Sequence, residues 1–236
     1  MNNKALERID CKQNQFSYDT FLQTYRYGIV KKHVQDFSGQ ATLLDCACGS
    51  GYGAELLKGH TSYIGVDVSS EAIDFARKNY GEYGEFCLCD GLRLPFSDGA
   101  FEIISSLETI EHLPKNDHCH FISELLRVLK PGGRIIITSP NRNYLYKKHL
   151  KRRGWHNPYH HYEYELKEFL EFIKSFANLT VEKAYTIGFP VPLPERSFRL
   201  HKLPRRVFES IASAWISLGV CCCRWSNSIV LIAQKK

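Results

Sequence analysis

Short apolar runs alternate with amphipathic segments along most of the chain. ATLLDCA (41–47), SYIGVDV (62–68), EFCLCD (85–90), FEIISSL (101–107) and GRIIITSP (133–140) have the length and character of buried strands. Helical spacing of apolar positions at 52–58, 70–79 and 116–129 fills most of the gaps between them. Such alternation predicts parallel βαβ units, helices on both faces, and a crevice at the carboxyl ends of the strands. A leading helix is expected over 16–37, where aromatics, lysines and histidine recur before FSG, and KPGG at 130–133 ends a helix ahead of Pro131.

Beyond Pro140 the pattern changes. A basic, aromatic segment (141–162) precedes an expected helix at 165–176, a strand near 179–187, a loop with Pro190, Pro192 and Pro194, an apolar helix near 205–219 and a last strand at 228–234. The apolar helix is too short to cross a bilayer and carries Glu209. Packing against the sheet or a dimer partner is expected there, with peripheral membrane contact beside Arg205 and Arg206 as the alternative. The 236 residues read as one domain: leading helix 16–37, core 40–140, and a basic lid and acceptor region 141–210.

Charge sharpens that division. Residues 141–210 hold 14 Lys/Arg against 7 Asp/Glu, leaving 17 against 18 elsewhere, so the net +6 belongs to this one region. It reads either as a solvated face or as an attraction for an anionic substrate, nucleic acid or membrane surface. The nine cysteines form no pair of C-x-x-C motifs, which excludes a zinc ribbon and a secreted disulfide framework. Cys46 with Cys48, and Cys87 with Cys89, are expected to share strand faces as small buried hydrophobes. With no secretory pattern at the N-terminus, a cytoplasmic setting is expected.

LLDCACGSGYG couples a strand to a helix through Gly49, Gly51 and Gly53, a loop whose missing side chains let backbone amides approach a ligand. Alone, this also suits a dinucleotide. Asp45, Asp67 and Asp90 follow at three successive strand ends, with Gly91 behind the last, and predict a row of acids along the crevice rim. Acids at the second and third positions suit ribose hydroxyls and an adenine amino group. A pyrophosphate is disfavoured between acids, whereas a cationic sulfonium is not.

At these residues the chain resembles the class I S-adenosylmethionine (SAM) methyltransferases. LLDCACGSGYG is similar to their first motif, IGVDVSSEAIDFAR to their second, CDGLRLPFSDGAFEIISSLETIEHL to the adenine and post-adenine motifs, and LLRVLKPGGRIIITSPN to the closing helix and strand. The resemblance implies a Rossmann-like, doubly wound α/β fold: seven strands, mainly parallel, with an antiparallel last strand. It also implies SAM contacts from Asp45, Ala47, Gly49, Gly51, Asp67, Val68, Asp90, Gly91 and Leu107. Ala47 stands where the family usually has glycine, adding a methyl group beneath the methionine moiety. Tyr25, Arg26 and Tyr27 would lie on the helix covering the cofactor, with Arg26 either pairing with the methionine carboxylate or standing on the surface.

SLETIEHL (106–113) sets Glu108, Glu111 and His112 at i, i+3 and i+4, on one face if the segment is helical. With TSPN and NPYHHYEYELKEFLEF it resembles a methyltransferase branch associated with glycan and natural-product pathways. Metal-dependent relatives that methylate ubiquinone precursors or the 2′-hydroxyl of small RNAs share part of the pattern, and aligning their later histidine motif selects His160 rather than His161. Glu108, Glu111, His112 and His160 would then hold Mg²⁺, Mn²⁺ or Fe²⁺ and acidify a substrate hydroxyl. The competing readings make His112 a metal-free general base oriented by Glu108 or Glu111, or give the segment a structural role. The leading expectation is O-methylation of a sugar, glycoconjugate or small natural product, with region 141–210 receiving an anionic portion. RNA ribose methylation and a non-catalytic SAM-binding regulator are the alternatives, and oligomeric state is left open.

Overall fold

The computed structural model describes residues 18–37, 41–143, 157–188 and 227–236. Its elements are α1 (Tyr18–Val34), β1 (Ala41–Cys46), α2 (Tyr52–Leu57), β2 (Thr61–Asp67), α3 (Ser70–Tyr80), β3 (Glu85–Leu88), β4 (Phe101–Leu107), α4 (His118–Val128), β5 (Leu129–Pro140), α5 (Leu166–Lys174), β6 (Leu179–Ile187) and β7 (Ser228–Lys235). Residues 144–156 of the expected lid, the proline loop and the apolar helix at 205–219 lie outside the described residues. Among the described residues no helix is long and apolar enough to cross a membrane.

The strands form one seven-stranded sheet in the order β3-β2-β1-β4-β5-β7-β6. β7 lies between β5 and β6 and runs antiparallel to both, while the pairings from β3 through β5 are parallel. β1 and β4 are buried almost throughout, as strands covered on both faces must be. Leu43 packs into the layer with α1, α2 and α3, and its neighbour Leu44 into the layer with α4 and α5, so the two-residue period of the strand builds both cores. The chain winds outward from β1 to β3 and then crosses back to β4. The carboxyl ends of β1 and β4 therefore flank the point where strand order reverses, which is where open α/β sheets bind ligands.

Local chemistry explains several boundaries. Ser69 caps α3, its hydroxyl accepting from the Ala72 amide at 3.3 Å. The KPGG turn is tighter than expected. α4 passes into β5 at Leu129, which already pairs with Phe101, and Lys130–Gly133 bulge out before Arg134 pairs with Ile103. Gly132 there has φ +77°, and a Cβ on Gly133 would come within 2.8 Å of the Glu102 carbonyl.

Candidate functional site

A cleft of about 1010 Å³ opens at the reversal point, between the end of β1, the ends of β2 and β4, α1 and the 157–161 loop. Its floor is the loop after β1. Ala47 has φ +65°, Gly49 φ +56° and Gly51 φ +79°. The three glycines have different duties. A Cβ on Gly49 would meet nothing within 4 Å, so this glycine leaves the loop open. One on Gly51 would strike Ala76 at 2.6 Å and Phe86 at 2.7 Å, and one on Gly53 would strike the Tyr27 ring at 2.3 Å. Gly51 and Gly53 are thus small to let helices pack, not to admit a ligand. The left-handed turn at Ala47 also breaks the strand alternation: Cys46 packs in the α4 layer and Cys48 in the α1 layer, on opposite faces rather than the shared one expected.

The expected row of three acids has two members at the rim. Asp67 and Asp90 line the cleft, but Asp45 is 1% exposed and does not. Its Oδ2 accepts from the hydroxyls of Tyr63 at 2.5 Å and Tyr27 at 2.7 Å, and its Oδ1 accepts from Ser105 at 2.7 Å. Burial pushes the Asp45 carboxyl up, and these three donors oppose the shift. Asp45 points into the layer beneath the loop because it is still a strand residue, with side chains alternating across the sheet. Asp67 ties two loops together, Oδ2 accepting from the Gly49 amide in the loop after β1 and Oδ1 from the Ser69 amide in the loop after β2, both at 2.9 Å. Asp90 is exposed and accepts from the Leu92 amide at 2.9 Å. Gly91 packs beneath the wall, where a Cβ would meet Phe121 at 2.9 Å and Cys46 at 3.0 Å. Val68, 73% exposed, and Leu107, 7% exposed, add apolar surface to the lining.

Glu108, Glu111 and His112 do not share a helical face. Glu108 has φ +55°, and the helix that follows is a single tight turn, Ile110–His112. The left-handed residue rotates Glu108 away from the other two and toward α1. There its Oε2 lies 3.0 Å from Nη2 of Arg26, which also donates to Ser228 Oγ at 2.7 Å. Arg26 is 6% exposed and engaged with protein groups, so it is not the surface arginine of an amphipathic helix.

Of the four expected ligands the structure brings three together, Glu111, His112 and His160, and leaves Glu108 apart. One ligand atom from each of these three lies within 4.8 Å of the others. Glu111 is fully buried. Its Oε2 accepts from Ser139 Oγ at 3.3 Å, while Oε1 has no hydrogen-bond partner. Burial, and then the nearby Glu108 charge, push its carboxyl well up. Nδ1 of His112 donates to the Tyr159 carbonyl at 3.1 Å, which turns Nε2 toward Glu111 Oε1 at 3.9 Å. Nδ1 of His160 donates to Glu163 Oε1 at 2.5 Å, and the two imidazoles meet edge to face at 5.0 Å. The Glu111 carbonyl accepts from the His161 amide at 2.8 Å and the Tyr162 amide at 3.3 Å, so two distant segments are clasped together here. His161 contributes this backbone bond, and its side chain lies outside the cluster.

The basic character expected of the acceptor side has no counterpart among the described lining residues. Asp67, Asp90, Glu108, Glu111 and Asp117 face Arg26 as the sole Arg or Lys. Arg142, inside the basic region, is held by Glu165 at 3.5 Å and Glu168 at 3.1 Å. The supporting residues Tyr63, Ser105, Ser139 and Glu163 escape a reading of the sequence. The one signal for them is polarity inside an apolar run, as with Ser105 and Ser106 in FEIISSL and Ser139 in GRIIITSP.

Residues 44–137 match the family described as "Methyltransferase domain". A probable S-adenosylmethionine-dependent methyltransferase of Mycolicibacterium smegmatis is 26% identical over 210 residues, covering 87% of this chain and 75% of that protein. The ubiquinone/menaquinone biosynthesis C-methyltransferase of Desulfotalea psychrophila is 35% identical over 135 residues, and the chain spans about half its length, 52%. The crystal structure of the YcgJ protein of Bacillus subtilis superposes with a TM-score of 0.62 at 19% identity, over 90% of this chain and 98% of that one, which shows a shared fold.

Proposed function

We propose that this chain is a class I S-adenosylmethionine-dependent methyltransferase that transfers the methyl group of SAM to a hydroxyl of a sugar, glycoconjugate or small natural product. The observation that supports a hydroxyl acceptor is the Glu111, His112 and His160 cluster in the wall of the cofactor cleft. A hydroxyl is a poor nucleophile until its proton is taken, and this cluster supplies groups able to take it.

In this reading SAM lies across the ends of β1 and β2. The Gly49 and Ser69 amides fix the Asp67 carboxylate at the end of β2, where it accepts from a ribose hydroxyl. Val68 and Leu107 flank the adenine, Asp90 accepts from its amino group, and the methionine end passes over Ala47 and Gly49. Nε2 of His112 accepts the acceptor's hydroxyl proton, with Nδ1 pinned by Tyr159. The oxygen then bonds to the methyl carbon as the carbon–sulfur bond breaks, its electron pair staying on sulfur to leave neutral S-adenosylhomocysteine. Negative oxygen and positive sulfonium cancel in the transition state, so a water-poor wall favours the step.

The same residues fit a divalent cation. Glu111 offers a buried oxygen with no hydrogen-bond partner, and Tyr159 and Glu163 orient two imidazoles whose ligand atoms lie beside it. Glu111, His112 and His160 would hold Mg²⁺, Mn²⁺ or Fe²⁺, which when bound lowers the pKa of a coordinated hydroxyl. Glu108, paired with Arg26, is outside this ligand set. Full activity of Glu111→Ala in the presence of a chelator excludes the cation and leaves His112 as base.

RNA ribose methylation is the second reading, supported by the Lys/Arg excess of residues 141–210. Transfer of labelled methyl from SAM into fractionated cell extract decides between them. Label in polysaccharide, lipid-linked or polar metabolite fractions supports the proposal, and label in RNA overturns it.

A further inference from the structure

Consecutive residues of α1 reach opposite halves of the cleft. Tyr27 extends to Asp45 at the end of β1, under the cofactor loop, and its ring packs against Gly53. Arg26 extends to Glu108 beyond the end of β4 and to Ser228 at the start of β7. Its other terminal nitrogen donates to Gln23 at 3.2 Å, so the guanidinium is fixed from its own helix as well.

What Arg26 holds is an unusual piece of backbone. Glu108 occupies the left-handed region at φ +55°, and its amide is bonded to the Thr138 carbonyl at 3.0 Å. A glutamate stays in that conformation only where its surroundings over-determine it. Arg26 supplies one of those constraints, and it is the one cation among the described lining residues. Glu108 in turn begins the turn that places Glu111 and His112. Without Arg26, its carboxylate, with Oε1 buried and unpartnered, would stand uncompensated near Glu111.

We infer that Arg26 is a positioning residue: by holding Glu108 in its left-handed conformation it sets the 108–112 turn, so that docking of α1 over the cofactor is transmitted to the acceptor-side cluster. This rests on the reading of the cleft as the SAM site. It predicts that occupation of the cofactor half orders the acceptor half in the absence of any acceptor.

Hydrogen exchange of the full-length protein, free and saturated with S-adenosylhomocysteine, tests this. In the wild type, the product should slow exchange of amides in 22–34, 47–53 and 108–112 together. In Arg26→Met combined with Glu108→Gln, which removes both charges and leaves no buried ion unpaired, protection at 47–53 should persist while that at 108–112 falls at least fivefold. Arg26→Lys, which keeps the charge but not the fork, should restore part of it. A loss of stability alone would shift all three segments alike. Wild-type protection at 108–112 in the double variant overturns the inference, as does protection of 47–53 without 108–112 in the wild type, and in both cases the cofactor reading stands. No protection anywhere in the wild type overturns the cofactor reading and the inference with it.

Discussion

The Tyr27 hydroxyl lies 2.7 Å from the buried carboxyl of Asp45, so the helix covering the cleft is tied to the strand from which the glycine loop springs. Tyr63 on β2 and Ser105 on β4 donate to the same carboxylate. One acid therefore joins four elements, and each donor offsets part of the cost of burying it.

Tyr27→Phe removes one of these three donors without opening a cavity. A hydrogen bond to a charged group contributes about 1.5–3 kcal/mol, and with two donors left the loss should fall near the lower figure. Urea denaturation should show it as a lower midpoint at an unchanged slope. An unchanged midpoint would mean that the Asp45 network does not hold α1.

Ala47→Gly should not destabilise the protein. The left-handed region costs a residue with a Cβ about 1–2 kcal/mol, while glycine loses about 0.4–1 kcal/mol through the freedom it adds to the unfolded chain, so a net gain of roughly 0.5 kcal/mol is expected. Ala47→Val, with a branched side chain at φ +65°, should instead lower the melting temperature. Calorimetric melting of the two variants against wild type checks the order Gly, Ala, Val.

Asp67→Ala should weaken SAM binding at least tenfold, since it removes the proposed ribose acceptor together with the carboxylate that fixes the Gly49 amide. Titration calorimetry gives the affinity directly. Binding equal to wild type would displace the cofactor from the end of β2.

A pH dependence should come from Glu102. Burial alone would push its carboxyl up, but Lys130, the Thr42 hydroxyl and the Thr42 amide at 2.8 Å outweigh that and hold it at about 2. The folded value lies below the unfolded one, near ~4.3, so its stabilisation is complete above that pH and fades as pH falls toward the folded value. With the side chain 27% exposed, Glu102→Gln should cost roughly 1 kcal/mol at pH 7 after allowing for solvent screening. In urea the gap to wild type should narrow between pH 5 and pH 3; a constant gap would assign the loss to packing instead of charge.

Hydrophobic period placed most of the described elements of this protein. FEIISSL became β4 over 101–107 and the run 179–187 became β6, because strand and helix patterns are written in neighbours two to four residues apart. Motif order likewise carried the family. Tertiary structure decided which way the side chains of that family's acids turn and what they meet. Two left-handed residues, Ala47 and Glu108, did much of this: the first sends Cys48 to the opposite face from Cys46, and the second sends Glu108 to Arg26 and leaves Glu111, His112 and His160 as the part of the expected ligand set that meets. A backbone angle at a residue with a Cβ leaves no periodic trace. The partners it selects come from segments about 50 to 200 residues apart, which only the packed sheet brings together.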